Sequence, residues 1–173
     1  YFRNNPKLGH DKNNLNTLKL PEAEYVWLLG DSICLKKNAI KNILKIITQI
    51  RPEIIAVNAK DRDLDINSAY YDNCNNVFND LGWHLTYTGV SIYSQRAIST
   101  IHEIDSQCYK NFPQISLIFN HISKLISFLQ FDGGVGFAFV ITPFTIGLND
   151  SLSSLFVPTF PICGKVKVII CSA

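Results

Sequence analysis

Apolar residues fall into separate blocks along this chain, and the spacing within each block predicts an element. Between Asp11 and Leu20, Leu15 and Leu18 sit three apart behind an aspartate suited to capping, and Pro21 follows. A short helix with Asp11 as its N-cap is expected. Tyr25-Val26-Trp27-Leu28-Leu29 is an unbroken apolar run closed by Gly30-Asp31, the pattern of a strand buried on both faces. From Lys37 to Gln49, Ile40, Ile43, Leu44 and Ile47 share one helical face while Lys37, Lys41 and Lys45 share another. Arg51-Pro52 ends that helix, and Ile54 to Asn58 reads as a second buried strand. Tyr25 to Asn58 is thus a strand, helix, strand unit whose strands should be neighbouring and parallel, joined by a right-handed crossover.

The stretch from Lys60 to Asn76 is rich in aspartate and asparagine without apolar period, so a long surface loop is expected there. Leu85 to Ser94 carries the Thr, Tyr, Val and Ile of a strand, and Gln95 to Ile101 turns into a short helix. Pro113 suits a first helical turn, and Ile115, Ile118, Ile122, Leu125, Ile126 and Leu129 continue at helical spacing to Gln130. Val135 to Ile141 and Thr145 to Leu148 read as two strands around Pro143, and Val166 to Cys171 as another. Residues 151–173 otherwise form a poorly defined tail.

Composition narrows the classes. With 173 residues, 47% hydrophobic and 17% charged, the chain is long enough to bury roughly two-thirds of its unfolded surface as one domain. A net charge of +2 gives no field for a phosphate backbone, so no nucleic-acid partner is expected. Five cysteines without a C-x-x-C pair argue against a disulfide framework or a zinc site and fit a reducing compartment. The apolar stretch Val135 to Leu148 is broken by Thr142, Pro143 and Thr145 and falls short of the roughly 20 residues that span a bilayer. The chain starts at Tyr1, contains no methionine and reads as a processed or truncated piece.

In an open α/β sheet, ligands bind beyond the carboxyl ends of the parallel strands. Gly30, Asp31 and Ser32 lie at such an end: a glycine for a tight turn, a carboxylate for a metal or a sugar hydroxyl, and a hydroxyl. The competing reading makes Asp31 and Ser32 ordinary entry and cap residues of the following helix. Trp83 and Tyr87 offer faces for a sugar ring, against the commoner role of aromatics in a core. His10, His84, His102 and His121 share no ligand spacing, and Gly133-Gly134-Val135-Gly136 lacks the Lys and Ser/Thr of a phosphate loop. Lys36, Lys37, Lys41 and Lys45 read as a solvated helix face rather than an anionic-lipid patch, and Asn149-Asp150-Ser151 is a sequon without meaning unless secreted.

Asn5-Pro6-Lys7-Leu8-Gly9-His10-Asp11 with Asn14-Leu15, then Glu24-Tyr25-Val26-Trp27-Leu28-Leu29-Gly30-Asp31, Lys36-Lys37-Asn38-Ala39-Ile40 and Asp80-Leu81-Gly82-Trp83-His84-Leu85-Thr86 together resemble glycosyltransferase family 2, particularly its bacterial surface-polysaccharide branch. The resemblance runs over residues 3–126 and more weakly over 141–152. It implies a GT-A-like, Rossmann-like α/β fold, a mixed and mostly parallel sheet flanked by helices and incomplete at the N-terminus. Residues 1–59 would form the donor side and 77–150 the acceptor side.

The implied activity transfers a sugar from a nucleotide-sugar to a lipid-linked or oligosaccharide acceptor, in the cytoplasm and either free or peripheral to the inner membrane. Gly30, Asp31 and Ser32 would bind the donor, and Asp31 would hold a divalent Mn or Mg ion that screens the diphosphate. Where the family has G-D-D, this chain has Gly30-Asp31-Ser32-Ile33, with one carboxylate. Where the family has an acidic base at a helix start, Phe112-Pro113-Gln114 has none, and Asp105 becomes the candidate catalytic base. With the family's first strand missing upstream, the isolated chain is expected to bind nucleotide-sugars weakly or not at all and to be inactive alone. The rival readings are a degenerate, non-catalytic domain of the same fold that binds a sugar nucleotide or a protein partner, and an unrelated nucleotide-binding module, which the missing G-x-G-x-x-G disfavours.

Overall fold

A computed structural model describes residues 4–59, 70–71, 73–105, 110–132, 139–148 and 166–171. The first helix, α1 (His10–Lys19), begins two residues earlier than a cap at Asp11 would place it. Its N-cap is Gly9, at φ 77, and no side chain caps it, so Asp11 sits within the first turn instead. Strand β1 (Tyr25–Gly30) is buried from Tyr25 through Leu29, as an apolar run demands. A two-residue turn leads into a short strand, β2 (Ile33–Leu35).

Helix α2 (Ala39–Ile50) starts two residues later than its apolar pattern, because Asn38 adopts the left-handed conformation at φ 69 that asparagine tolerates. Ile43 and Ile47 enter the core while Lys37, Lys41 and Lys45 face solvent. Arg51, also left-handed at φ 51, ends the helix with its N–H on the Ile47 carbonyl at 3.1 Å. Strand β3 (Ile54–Ala59) is buried along its whole length.

Of the surface loop expected from Lys60 to Asn76, residues 60–69 and 72 lie outside the described residues, and the described part departs from it at two places. Tyr70–Tyr71 forms a short strand, β4, and α3 (Cys74–Leu81) starts inside the segment because the Asn73 side chain accepts the Asn75 N–H at 2.8 Å. A 3-10 turn spans His84–Thr86, Gly89 reverses the chain at φ 99, and the strand expected from Leu85 contracts to β5 (Ser91–Ser94). Ser94 then caps α4 (Gln95–Ser99), its hydroxyl accepting the Ala97 N–H at 3.1 Å, and a second 3-10 turn follows at Thr100–Glu103. Helix α5 (Pro113–Asp132), strand β6 (Phe139–Leu148) and strand β7 (Val166–Cys171) complete the described elements. Gly133-Gly134-Val135-Gly136, the start of the strand expected from Val135, Asn149-Asp150-Ser151 and the tail before Val166 lie outside the described residues.

The strands form one mixed sheet in the order β2-β6-β3-β5-β1-β7, with β4 on β6. The fold is therefore mixed α/β, with two corrections to the expected topology. β1 and β3 point the same way but are not neighbours. β5 lies between them, antiparallel to both, with Ile92 opposite Trp27 on one side and Ile55 on the other. Apolar runs encode burial, whereas pairing is made by backbone groups that every sequence shares, so the crossover through α2 can skip a strand position without any local sign.

Nor is the sheet mostly parallel: among the described residues only β1 with β7 and β3 with β6 pair in parallel, against four antiparallel pairs. Around Pro143 there is one strand rather than two. The register jumps from Val57 opposite Thr142 to Asn58 opposite Thr145, leaving Pro143 and Phe144 as a bulge where the missing proline N–H costs no ladder bond. Helices α1, α3, α4 and α5 pack on one another, and Leu15, Leu18, Val77, Leu81, Leu117, Ile118 and Ile122 join the strand residues in a common core.

Candidate functional site

Register fixes which segments meet beyond the carboxyl ends of β1 and β3. Because β5 runs antiparallel, its start at Ser91 lies opposite Ala56, and the segment before it continues past that end. Buried bonds hold this segment there: the Val57 N–H donates to the Val90 carbonyl at 2.8 Å, Trp27 Nε1–H to the Gly89 carbonyl at 2.7 Å, and His84 Nε2–H to the Val57 carbonyl at 2.9 Å. A carbonyl can only accept, so Nε2 of His84 carries the proton. Gln114 in the first turn of α5 donates to the Thr86 carbonyl at 2.8 Å, which brings the start of α5 to the same end. The Asn111 N–H in turn donates to the Asp11 carboxylate at 3.0 Å, which adds the start of α1.

Asp31 and Ser32 sit exposed in the turn after β1, at this end. Neither side chain makes a hydrogen bond or ion pair among the described residues, and the N-cap of α2 is Asn38, so the helix-cap reading of this pair is overturned. The tight-turn role expected for Gly30 also fails, since a Cβ there would lie 3.7 Å from Ile33 Cδ1, an ordinary contact. Ile33 opens β2 opposite Leu148 and packs against the core, so the position after Ser32 serves the sheet. Asp31 and Ser32 offer one carboxylate and one hydroxyl, so a divalent ion here would take its remaining oxygens from a bound diphosphate and water; no group of three His, Cys, Asp or Glu side chains gathers among the described residues.

Asp105 is exposed and follows the 3-10 turn after α4. Its stretch of chain leaves the sheet at Ser94, opposite Tyr25, the end of β1 remote from Asp31. What the sequence hid is Asp11, a carboxylate brought to the start of α5 from a hundred residues away. The adjacent His10 ring at 2.9 Å, followed by the Asn111 N–H, holds its carboxyl below the ordinary carboxylate value. No local pattern signals this meeting.

Of the aromatic pair, Tyr87 is half-buried against the core, whereas Trp83 is 75% exposed. Its backbone is nonetheless anchored: the Trp83 carbonyl accepts the Thr86 hydroxyl at 2.6 Å, and Gly82 before it closes α3 through its N–H on the Phe78 carbonyl at 2.9 Å.

The opposite end of the sheet carries a charged hub. Glu53 Oε2 accepts the Ser94 hydroxyl at 2.7 Å and His121 Nε2 at 3.1 Å, while Oε1 accepts Arg96 at 3.2 Å. Burial pushes the Glu53 carboxyl up, but the hydrogen bonds from His121 and Ser94 and the positive charge of His121, when protonated, and of Arg96 outweigh it and hold it below its ordinary value. Serine and histidine both donate to one carboxylate, so this is not a nucleophile and base in series. Lys36, Lys37, Lys41 and Lys45 are exposed, and no described helix is long and apolar enough to cross a membrane. The chain matches no protein-family model and no curated protein sequence.

Proposed function

We propose that the chain is a glycosyltransferase domain of GT-A type that moves a sugar from a nucleotide-sugar to a lipid-linked or oligosaccharide acceptor. The observation that carries this reading is the position of Asp31. It lies in an exposed turn at the carboxyl end of a buried strand, with no structural partner to explain it, where an α/β sheet receives a nucleotide. Its carboxylate accepts hydrogen bonds from ribose hydroxyls, while Ser32 supplies a second polar contact. A mixed sheet with helices packed on it is compatible with the proposed fold.

A second reading rests on Ile33. Its place in β2 removes it from any ligand set, and with Ser32 it leaves Asp31 as a single carboxylate, which favours a domain that binds a sugar nucleotide without turning it over. Calorimetric titration with nucleoside diphosphates and nucleotide-sugars, with and without Mn²⁺, tests both. Binding that Asp31→Ala abolishes supports the donor site. Sugar transfer to an added acceptor selects the enzyme, and nucleotide binding without transfer selects the binding domain. Ser32→Asp should add a Mn²⁺ dependence, because a hard cation gains an anionic oxygen beside Asp31. Nucleotide binding indifferent to Asp31→Ala rejects the assignment.

A further inference from the structure

Charge is spread unevenly along this chain. From Ser32 to Pro52 there are four lysines, one arginine and no acid, so this stretch carries a formal +5, whereas the whole chain carries +2 and the remainder is net −3. The modest total conceals a concentrated positive surface. Lys36 and Lys37 precede α2 in the turn from β2. Lys41 and Lys45 lie one helical turn apart, about 6 Å, on the side of α2 opposite buried Ile43 and Ile47. All four lysines are exposed, and no side chain among them makes a hydrogen bond or ion pair with the described residues. Glu53, the next acid along the chain, is engaged by Ser94, Arg96 and His121 and leaves the row unneutralised.

A face that served only to be solvated would not need this arrangement. Like charges four residues apart on a helix repel, and the first turn of α2 holds no acid to complement the positive end of the helix dipole. Lys36 and Lys37 instead add positive charge at that end. Interspersed glutamates would remove this electrostatic cost, and a negative surface turns it into attraction. The surface that fits is a plane of anionic headgroups. Lysines directed outward from one helix are point charges on flexible stems, and four or more on an amphipathic helix mark attraction to anionic lipid. A nucleic acid fits less well, because the stretch from Ser32 to Pro52 has no aromatic ring to stack on a base and one arginine to grip phosphate. We propose that the lysine face of α2 docks this protein on an anionic lipid bilayer, held by charge while Ile43 and Ile47 stay in the core. The proposal does not depend on what binds at Asp31.

Co-sedimentation with vesicles tests it, using phosphatidylcholine alone and phosphatidylcholine with phosphatidylglycerol at two to one. The chain should pellet with the anionic vesicles and not with the neutral ones, and should be released as salt rises from about 0.05 to about 0.5 M. Each lysine at an anionic surface is worth about fivefold in partitioning. Lys41→Gln with Lys45→Gln should therefore weaken binding about 25-fold with the circular dichroism spectrum retained, and Lys41→Arg with Lys45→Arg should preserve it. Lys12→Gln with Lys19→Gln, which removes the same charge from exposed positions on α1, should leave binding within about twofold. The proposal is overturned by absence of binding to anionic vesicles, by equal binding to neutral ones, or by equal losses in the two glutamine pairs, which would reduce the effect to net charge. Tighter binding of a random-sequence oligonucleotide through Lys41 and Lys45 than of anionic vesicles would also overturn it, in favour of a nucleic acid.

Discussion

At Glu53, one carboxylate joins the start of β3, the end of β5 and the middle of α5 through Ser94, Arg96 and His121. With its side chain 16% exposed and that of His121 3% exposed, solvent screens the cluster little, and losing bonds to a buried charge costs about 2–4 kcal/mol. Glu53→Ala should lower stability by that amount in denaturant titrations. Because the folded carboxyl lies below its ordinary value of 4.5, its contribution is present above that pH and fades as pH falls through the folded value. Between neutral pH and pH about 3, the melting temperature of the native chain should therefore drop more than that of Glu53→Gln. Asp31 behaves oppositely: with no partner among the described residues, Asp31→Ala should change stability by less than about 0.5 kcal/mol. A larger loss would restore the structural explanation of that residue.

Among the elements, those with strong apolar patterns were legible. Lys37 to Gln49 and Pro113 to Gln130 both became helices, and Tyr25 to Leu29 and Ile54 to Asn58 both became buried strands. Their ends were less so, because single residues set them: Gly9 rather than Asp11 caps α1, and left-handed Asn38 delays α2. Helix α3 escaped notice because CNNVFNDL has only Val77, Phe78 and Leu81 to mark a face, and its asparagines imitate a loop. Gly82, just past α3, is tied to its place by closeness alone. A Cβ there would lie 2.6 Å from the Phe78 carbonyl oxygen, which cannot swing away as a side chain could. Gly82→Ala should destabilise the chain by about 1–3 kcal/mol and shift the Trp83 indole signal, whereas Gly30→Ala should do little.

At the scale of the molecule, the sequence revealed directions but not neighbours. Ser91 to Ser94 is four residues long and carries two serines, yet it occupies a central place in the sheet and is buried throughout. The grouping at the carboxyl end was equally hidden, because Asp11 and Asn111 meet only after the sheet has formed. Hydrogen exchange should rank the amides accordingly, slowest in β1, β3 and β5 and fastest in the edge strand β2. β5 also sets an order of events during synthesis. When residues 1–59 have left the ribosome, β1 and β3 cannot zip to each other in their final arrangement, because a gap one strand wide, about 4.8 Å on each side, is reserved for a segment not yet made. Until Ser91 to Ser94 emerges, both strands present bare amide edges on both sides, and their outer edges wait longer still for β6 and β7, so holding chaperones should be recruited most by nascent chains stalled before Ser91 and least by those stalled after Cys171.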